Sequence, residues 1–293
     1  MPQPAGAPAG DAPAAGWRGR LSLTCRARDG RSTVHDRHDG PLRLLRSLHP
    51  EGPSVCHQVL VHPPGGLVGG DALAIDIDVG PQAHSLLTTP GATRFYRSDG
   101  RIARQSVDAR VDAGGRLEWL PLETIAYRGT RAVNRMRFTL APGATMIGWD
   151  LLALGLPASG QPFDDGRFEQ EIALPGLWLD RGIVDPGDEA GRRLLASPLG
   201  WDRCTALATM WCAVGDDWPG PVQDALLAGA RDAMDAAALD GRCGATAPHA
   251  RVVVVRALAE RVEPLWHALQ AVRERWRRTL WSLDAAPPRV WRT

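Results

Sequence analysis

Through the first two thirds of the chain, an alternating strand, a glycine-containing turn and a second strand recur at intervals of about 30 residues. The segments IDIDVGPQAHSLLTT, VDARVDAGGRLEWLP and MRFTLAPGATMIGWD share this construction, and RFEQEIALPGLWLD is a shorter version of it. In LAIDIDV, residues Leu73, Ile75, Ile77 and Val79 fall on one face and Ala74, Asp76 and Asp78 on the other. That period of two belongs to a half-buried strand, whose successive side chains point to opposite faces. The sequence therefore predicts a mainly β fold, a stacked or helical β-sheet body of hairpin-like units over about residues 17–220.

The C-terminal third changes character. Residues 222–239, VQDALLAGARDAMDAAAL, read as a helix that stops before Gly241. RVVVVRAL over 251–258 reads as a buried strand. From Glu260 to about Leu283, the residues Leu265, Leu269, Val272, Trp276 and Leu280 mark one stripe of an amphipathic helix with an Arg-rich outer face. This gives two α-helices and a helix-strand-helix part over about 221–293. Residues 1–16 read as a disordered leader, and residues 17–293 as a single domain.

Composition excludes several classes. A net charge of +1 leaves no basic footprint for nucleic acid. All 34 basic residues are arginine, so there is no Schiff-base lysine, no pyridoxal phosphate attachment and no Walker A lysine. The five cysteines (Cys25, Cys56, Cys204, Cys212 and Cys243) form no C-x-x-C pair, which argues for reduced thiols rather than a disulfide framework or a zinc site. There is no secretory leader and no run of membrane-spanning length, so a soluble, cytoplasmic protein is expected.

The glycine-rich stretch HPPGGLVGGD, residues 62–71, leads into a strand and lacks the lysine and helix of a phosphate loop. A tight corner needing positive φ is the expectation there. In CHQVLVH, neighbouring Cys56 and His57 face opposite sides of a strand, and Cys56 and His62 stand ~20 Å apart along it, too far for one ion. The hydroxyl-rich LTTPGATRFYRSDG carries Thr88 and Thr89 with no adjacent activating group, and displays Arg94, Tyr96 and Arg97. Three acidic residues sit in apolar surroundings: Asp71 at the glycine corner, Asp150 in GWDLLALG and Asp180 in LWLDRGIV. Buried carboxylates need a partner. Asp71 capping a turn and Asp180 pairing with Arg181 would supply one, and so would a divalent cation passing along these positions.

The motifs HPPGGLVGGDAL, LLTTPGATRFYRSDG, LEWLPLETIAY, GWDLLALGLPASGQPF, LWLDRGIV and PPRVWRT occur in the order and spacing of the urease accessory protein UreD (UreH) family, which the chain resembles from about Trp17 to Thr293. It departs from the family pattern at Arg94, where lysine is common, at Leu122, where glutamine is usual, and in its leader. The resemblance implies a non-enzymatic maturation factor with a helical-sheet body. Such a factor binds the urease apoprotein together with UreF and the GTPase UreG, and helps deliver Ni²⁺ to the urease active site. It implies no permanently bound cofactor, nickel only in transit, and neither nucleic acid nor membrane as a partner. By motif position Asp71, Asp150 and Asp180 would line the internal polar passage envisaged for the family. The alternative from another class is a small-molecule hydrolase or transferase using Thr88, Thr89 or Cys56, with His84 or His62 recruited as base. A pure protein-binding module with no metal role is the third reading. The C-terminal PPRVWRT is expected to be a packed end, which keeps Trp291 from solvent.

Overall fold

The computed structural model describes residues 16–237 and 239–292; apart from Gly16, the expected leader lies outside the described residues. In chain order the strands are β1 (Arg18–Arg28), β2 (Arg31–Asp39), β3 (Arg43–Leu44), β4 (Val55–Val61), β5 (Ala72–Val79), β6 (His84–Thr88), β7 (Thr93–Phe95), β8 (Ala103–Val111), β9 (Arg116–Leu120), β10 (Thr124–Ala126), β11 (Thr130–Leu140), β12 (Thr145–Leu154), β13 (Gly166–Leu174), β14 (Trp178–Val184), β15 (Ala206–Val214), β16 (Cys243–His249) and β17 (Val252–Ala259). The helices are α1 (Glu189–Ala196), α2 (Val222–Ala236) and α3 (Val262–Trp281). None is long and apolar enough to cross a membrane.

The strands form two sheets, ordered β14-β13-β11-β8-β5-β1-β2 and β16-β17-β15-β12-β9-β6-β4-β3, with β10 and β7 continuing from β12. From β4 to β13 the chain shuttles between the sheets, and strands that neighbour each other within a sheet run parallel. In the second sheet Val55, His84, Arg116 and Thr145 stand side by side, each about one 30-residue turn after the last. The repeating units are thus turns of a solenoid, as the stacked-sheet expectation required. Their two strands lie in opposite sheets, because the glycine turn carries the chain across the layer instead of closing a paired hairpin. The RFEQEIALPGLWLD unit, β13 and β14, does pair with itself, antiparallel.

The inward phase of each strand fills the layer between the sheets. Leu73, Ile75, Ile77 and Val79 are all buried there, alongside Leu21, Val107, Phe138 and Phe168. The opposite face of the second sheet carries α2 and α3 over a second core, in which Ile147, Trp149, Met210 and Cys212 meet Leu265, Leu269, Val272 and Trp276. The C-terminal end is packed, as expected: the Trp291 ring lies 5.5 Å from Trp149 and 4.9 Å from Trp266, and its Nε1 donates to Thr88 Oγ1 at 2.8 Å. Beside the two C-terminal helices there is a third, α1, whose N-cap Asp188 accepts from the Gly191 N–H.

The expected Arg-rich outer face of the last helix needs correction. Arg273 and Arg277 point inward and are buried to 1% and 0% exposure. Arg273 Nε donates to Glu118 Oε2 at 2.8 Å, and Arg277 Nη2 donates to Glu51 Oε2 at 2.6 Å. His84 lies 3.0 Å from the other Glu118 oxygen, and His57 lies 2.6 Å from Glu51. Two carboxylates and two guanidiniums balance, which is what makes their burial tolerable. Burial alone would raise the Glu118 pKa, but Arg273, His84 and Arg277 together hold it well below the usual carboxylate range. Burial depresses the His84 pKa against the pull of Glu118.

Removing one partner strands the rest, so Glu118→Ala is expected to cost about 3–5 kcal/mol and to lower Tm by roughly 5–10 °C. Both depressed pKa values have the same sign: the unfolded chain binds more protons than the folded one as pH falls. Stability is therefore fully present at neutral pH. It declines below about 6.5 as unfolded His84 charges, and again below about 4.3 as unfolded Glu118 protonates. Thermal melts of parent and Glu118→Gln between pH 7.5 and 4 check this; the variant should lose stability overall and show the shallower slope below about pH 5, where only the parent takes up the Glu118 proton on unfolding.

Candidate functional site

The glycine corner is a structural turn, as the sequence suggested. Gly65 and Gly70 have φ of 79° and 93°. A Cβ on Gly66 would come within 2.4 Å of the Tyr96 ring. Asp71 closes the corner: its carboxylate accepts from the Val68 N–H at 2.9 Å and the Trp17 N–H at 2.8 Å. Two backbone donors account for this buried acid.

Beside the corner lies a partly open cavity of about 170 Å³ lined by His62, Gly65, Gly66, Thr89, Arg94 and Gln105, among others. Burial lowers the His62 pKa, opposed by Asp71, which favours a neutral imidazole at this opening.

From Gln105 a polar row runs across the first sheet, one residue per turn. Gln105 is level with Asn134 on β11, and Asn134 with Gln170 on β13. All three occupy inward positions that their apolar neighbours on the same strands fill with Val107, Met136 and Ile172. Gln105 Nε2 reaches Asn134 Oδ1 at 3.4 Å. A second row crosses the facing sheet, from Asp150 on β12 to Thr209 on β15 and Arg256 on β17. The rows join where Gln170 Nε2 donates to Asp150 Oδ2 at 2.6 Å. The other amide atom, Gln170 Oε1, is buried with no partner among the described residues.

Asp150 is 4% exposed, and no cation pairs with it among the described residues. Burial, assisted by the nearby Asp180 charge, outweighs the Gln170 hydrogen bond and pushes its pKa up to about 6. Asp180 pairs with Arg256 across the two sheets. It does not pair with its sequence neighbour, because consecutive strand residues face opposite sides; Arg181 bonds Glu169 at 2.9 Å on the outer face. Asp150 and Asp180 are thus neighbours, while Asp71 sits at the far end near the cavity. No three His, Cys, Asp or Glu side chains converge on one ion among the described residues.

The three candidate nucleophiles are otherwise engaged. Thr88 receives Trp291, Thr89 Oγ1 accepts from the Leu122 N–H at 2.9 Å, and burial raises the Cys56 thiol pKa. His84 is committed to Glu118. Sequence reading passed over Gln105, Asn134, Gln170, Thr209 and Arg256, although each is a polar residue standing at an apolar phase of its strand.

Comparison with known proteins decides the family. Residues 17–292 match the family model described as UreD urease accessory protein. The chain belongs to the UreD family of urease accessory proteins. It is 55% identical over 279 residues to the urease accessory protein UreD of Leptothrix cholodnii, covering 94% of this chain and 99% of that one. It is 58% identical over 267 residues to that of Methylibium petroleiphilum, covering 87% and 90%, and 51% identical over 277 residues to that of Variovorax paradoxus, covering 94% and 99%.

A raised carboxyl pKa costs stability once the group ionises. Keeping Asp150 charged in the folded chain costs about 3 kcal/mol at pH 7.5, from a shift of about two pKa units. Asp150→Asn should therefore melt several degrees higher than the parent at pH 7.5. That advantage should shrink to a small fraction by about pH 4 and vanish below about pH 3, where both folded and unfolded carboxyls are protonated.

Proposed function

We propose that this chain is a urease maturation factor. It binds apo-urease together with UreF and the GTPase UreG and hands Ni²⁺ along the polar rows between its two sheets. The observation that carries the metal role is Asp150: a buried carboxylate with no paired cation among the described residues, joined by Gln170 to a row of amides that begins at a partly open cavity. A carboxylate kept at a cost to the fold is the pattern of a functional site. Membership of the urease accessory family supports urease as the recipient.

The chemistry of the rows suits transit. Carboxylate, amide and hydroxyl oxygens hold nickel less tightly than thiolate or imidazole sets, so an ion can step onward. The cysteines stay out of the way, with burial holding the Cys212 thiol far above its ordinary pKa. The proposed role is non-enzymatic, and the engagement of Thr88 by Trp291 and of Thr89 by the Leu122 N–H supports that reading.

The test is nickel per active site in urease purified from cells expressing the urease subunits, UreF and UreG, with this chain, without it, or with Asp150→Asn. Omission is expected to give assembled but nickel-poor urease. Asp150→Asn should keep the complex assembled and lower nickel severalfold. Unchanged nickel on omission would refute the maturation role; unchanged nickel with Asp150→Asn, alone and combined with Asp180→Asn, would refute the passage.

A further inference from the structure

Both polar rows end in the same way. On the first sheet the residue beyond Gln170 is Gly182 of the edge strand β14, and on the second the residue beyond Arg256 is Gly244 of the edge strand β16. Neither glycine has a positive φ, so neither is there to make a turn. A Cβ at either position would meet nothing within 4 Å. Both glycines are exposed on edge strands, so the two polar rows reach the surface at this end of the solenoid without a side chain over them.

Across that opening stands the Asp180–Arg256 ion pair, one partner from each sheet. Arg256 interrupts the strand VVVVRALA on the inward phase otherwise held by Val252, Val254 and Leu258. Its side chain is 52% exposed and that of Asp180 is 25% exposed, whereas Asp150 behind them is buried. An exposed ion pair contributes little to stability, so stability alone gives little reason for an arginine at this position.

We propose that Gly182, Gly244, Asp180 and Arg256 form a mouth of the passage. Arg256 acts there as the resident counter-cation of Asp180, which a divalent cation displaces as it crosses. This rests on the passage reading above. The electrostatics set the direction of each effect. With Asp180 ionised, the mouth as a whole is neutral and a dication can exchange with the guanidinium. With Asp180 gone, the guanidinium loses its direct counter-charge at the opening and repels an ion arriving there. With both charges gone, the repulsion disappears.

The experiment uses the full-length chain co-expressed with the urease subunits and the other accessory proteins at limiting nickel. Nickel per urease site is read by elemental analysis, and complex retention by co-purification. Gly182→Val with Gly244→Val is expected to lower nickel severalfold by filling the opening. Asp180→Asn should lower nickel, and adding Arg256→Gln to it should restore most of the loss. That rescue does not depend on the valine variant folding, and undiminished co-purification of Asp180→Asn with its partners separates it from relief of a destabilising unpaired arginine. If Asp150→Asn lowers nickel while the valine and Asp180 variants do not, the passage stands and this mouth is wrong. If none of them changes nickel, both readings fall.

Discussion

Glu118 holds the molecule together at the point where its two cores meet. It sits in the second sheet with no exposure, and its two oxygens are met by His84 from the same sheet and Arg273 and Arg277 from α3. Arg277 then reaches Glu51 in the loop before β4 and the Asp284 carbonyl beyond the helix, while Arg273 stacks over Trp291. One charge set thus fixes the orientation of α3, the start of the solenoid and the end of the chain. A purely apolar contact would supply comparable burial without this geometry, since hydrophobic packing is non-directional. The network costs desolvation and leaves Arg273 Nη2 without an acceptor. In exchange it sets the rotation of α3 on the sheet.

That clamp lies on one face of the second sheet, and the polar rows lie on the other. Period-two geometry makes the separation clean. Glu118 and Trp149 face the helices, whereas Trp119 and Asp150 face the first sheet. The helix-covered layer carries the buried ion network, while the inter-sheet layer carries Asn134, Gln170 and Asp150 among its aliphatics. The aspartate charge that the fold tolerates on one side is offset by ion pairing and apolar burial on the other.

The solenoid was legible because strand alternation and the recurrence of glycine turns are local signals. LAIDIDV announced its buried face residue by residue, and RVVVVRAL and the two C-terminal helices fell within a few residues of their expected limits. Whether the two strands of a unit pair with each other was not legible, since a glycine turn can close a hairpin or cross a layer. Arg273 and Arg277 looked solvent-facing because arginine usually is, and their acceptor lies 155 residues away in sequence for Arg273. The three aspartates were visible as acids in apolar company, but their partners were not. Asp71 found backbone donors and Asp180 an arginine from a distant strand, leaving Asp150 without a cation among the described residues. The amide row left a trace in the sequence, one polar residue per turn on an apolar phase. It shows only when the turns are laid in register.

The distance between Glu118 and Arg273 along the chain also has a consequence for biosynthesis. A ribosome adding roughly 5–20 residues per second needs about 8–30 seconds to pass from one to the other. Throughout that interval the β body exists without its cationic partners and with the helix-binding face of the second sheet uncovered. Solenoid turns can stack as they emerge, but the sheet face bearing Ile147, Trp149 and Met210 stays bare until α3 is made. A nascent chain stalled or truncated before α3 would present that greasy surface, with a bare carboxylate at its centre, to whatever holds new proteins in the cell.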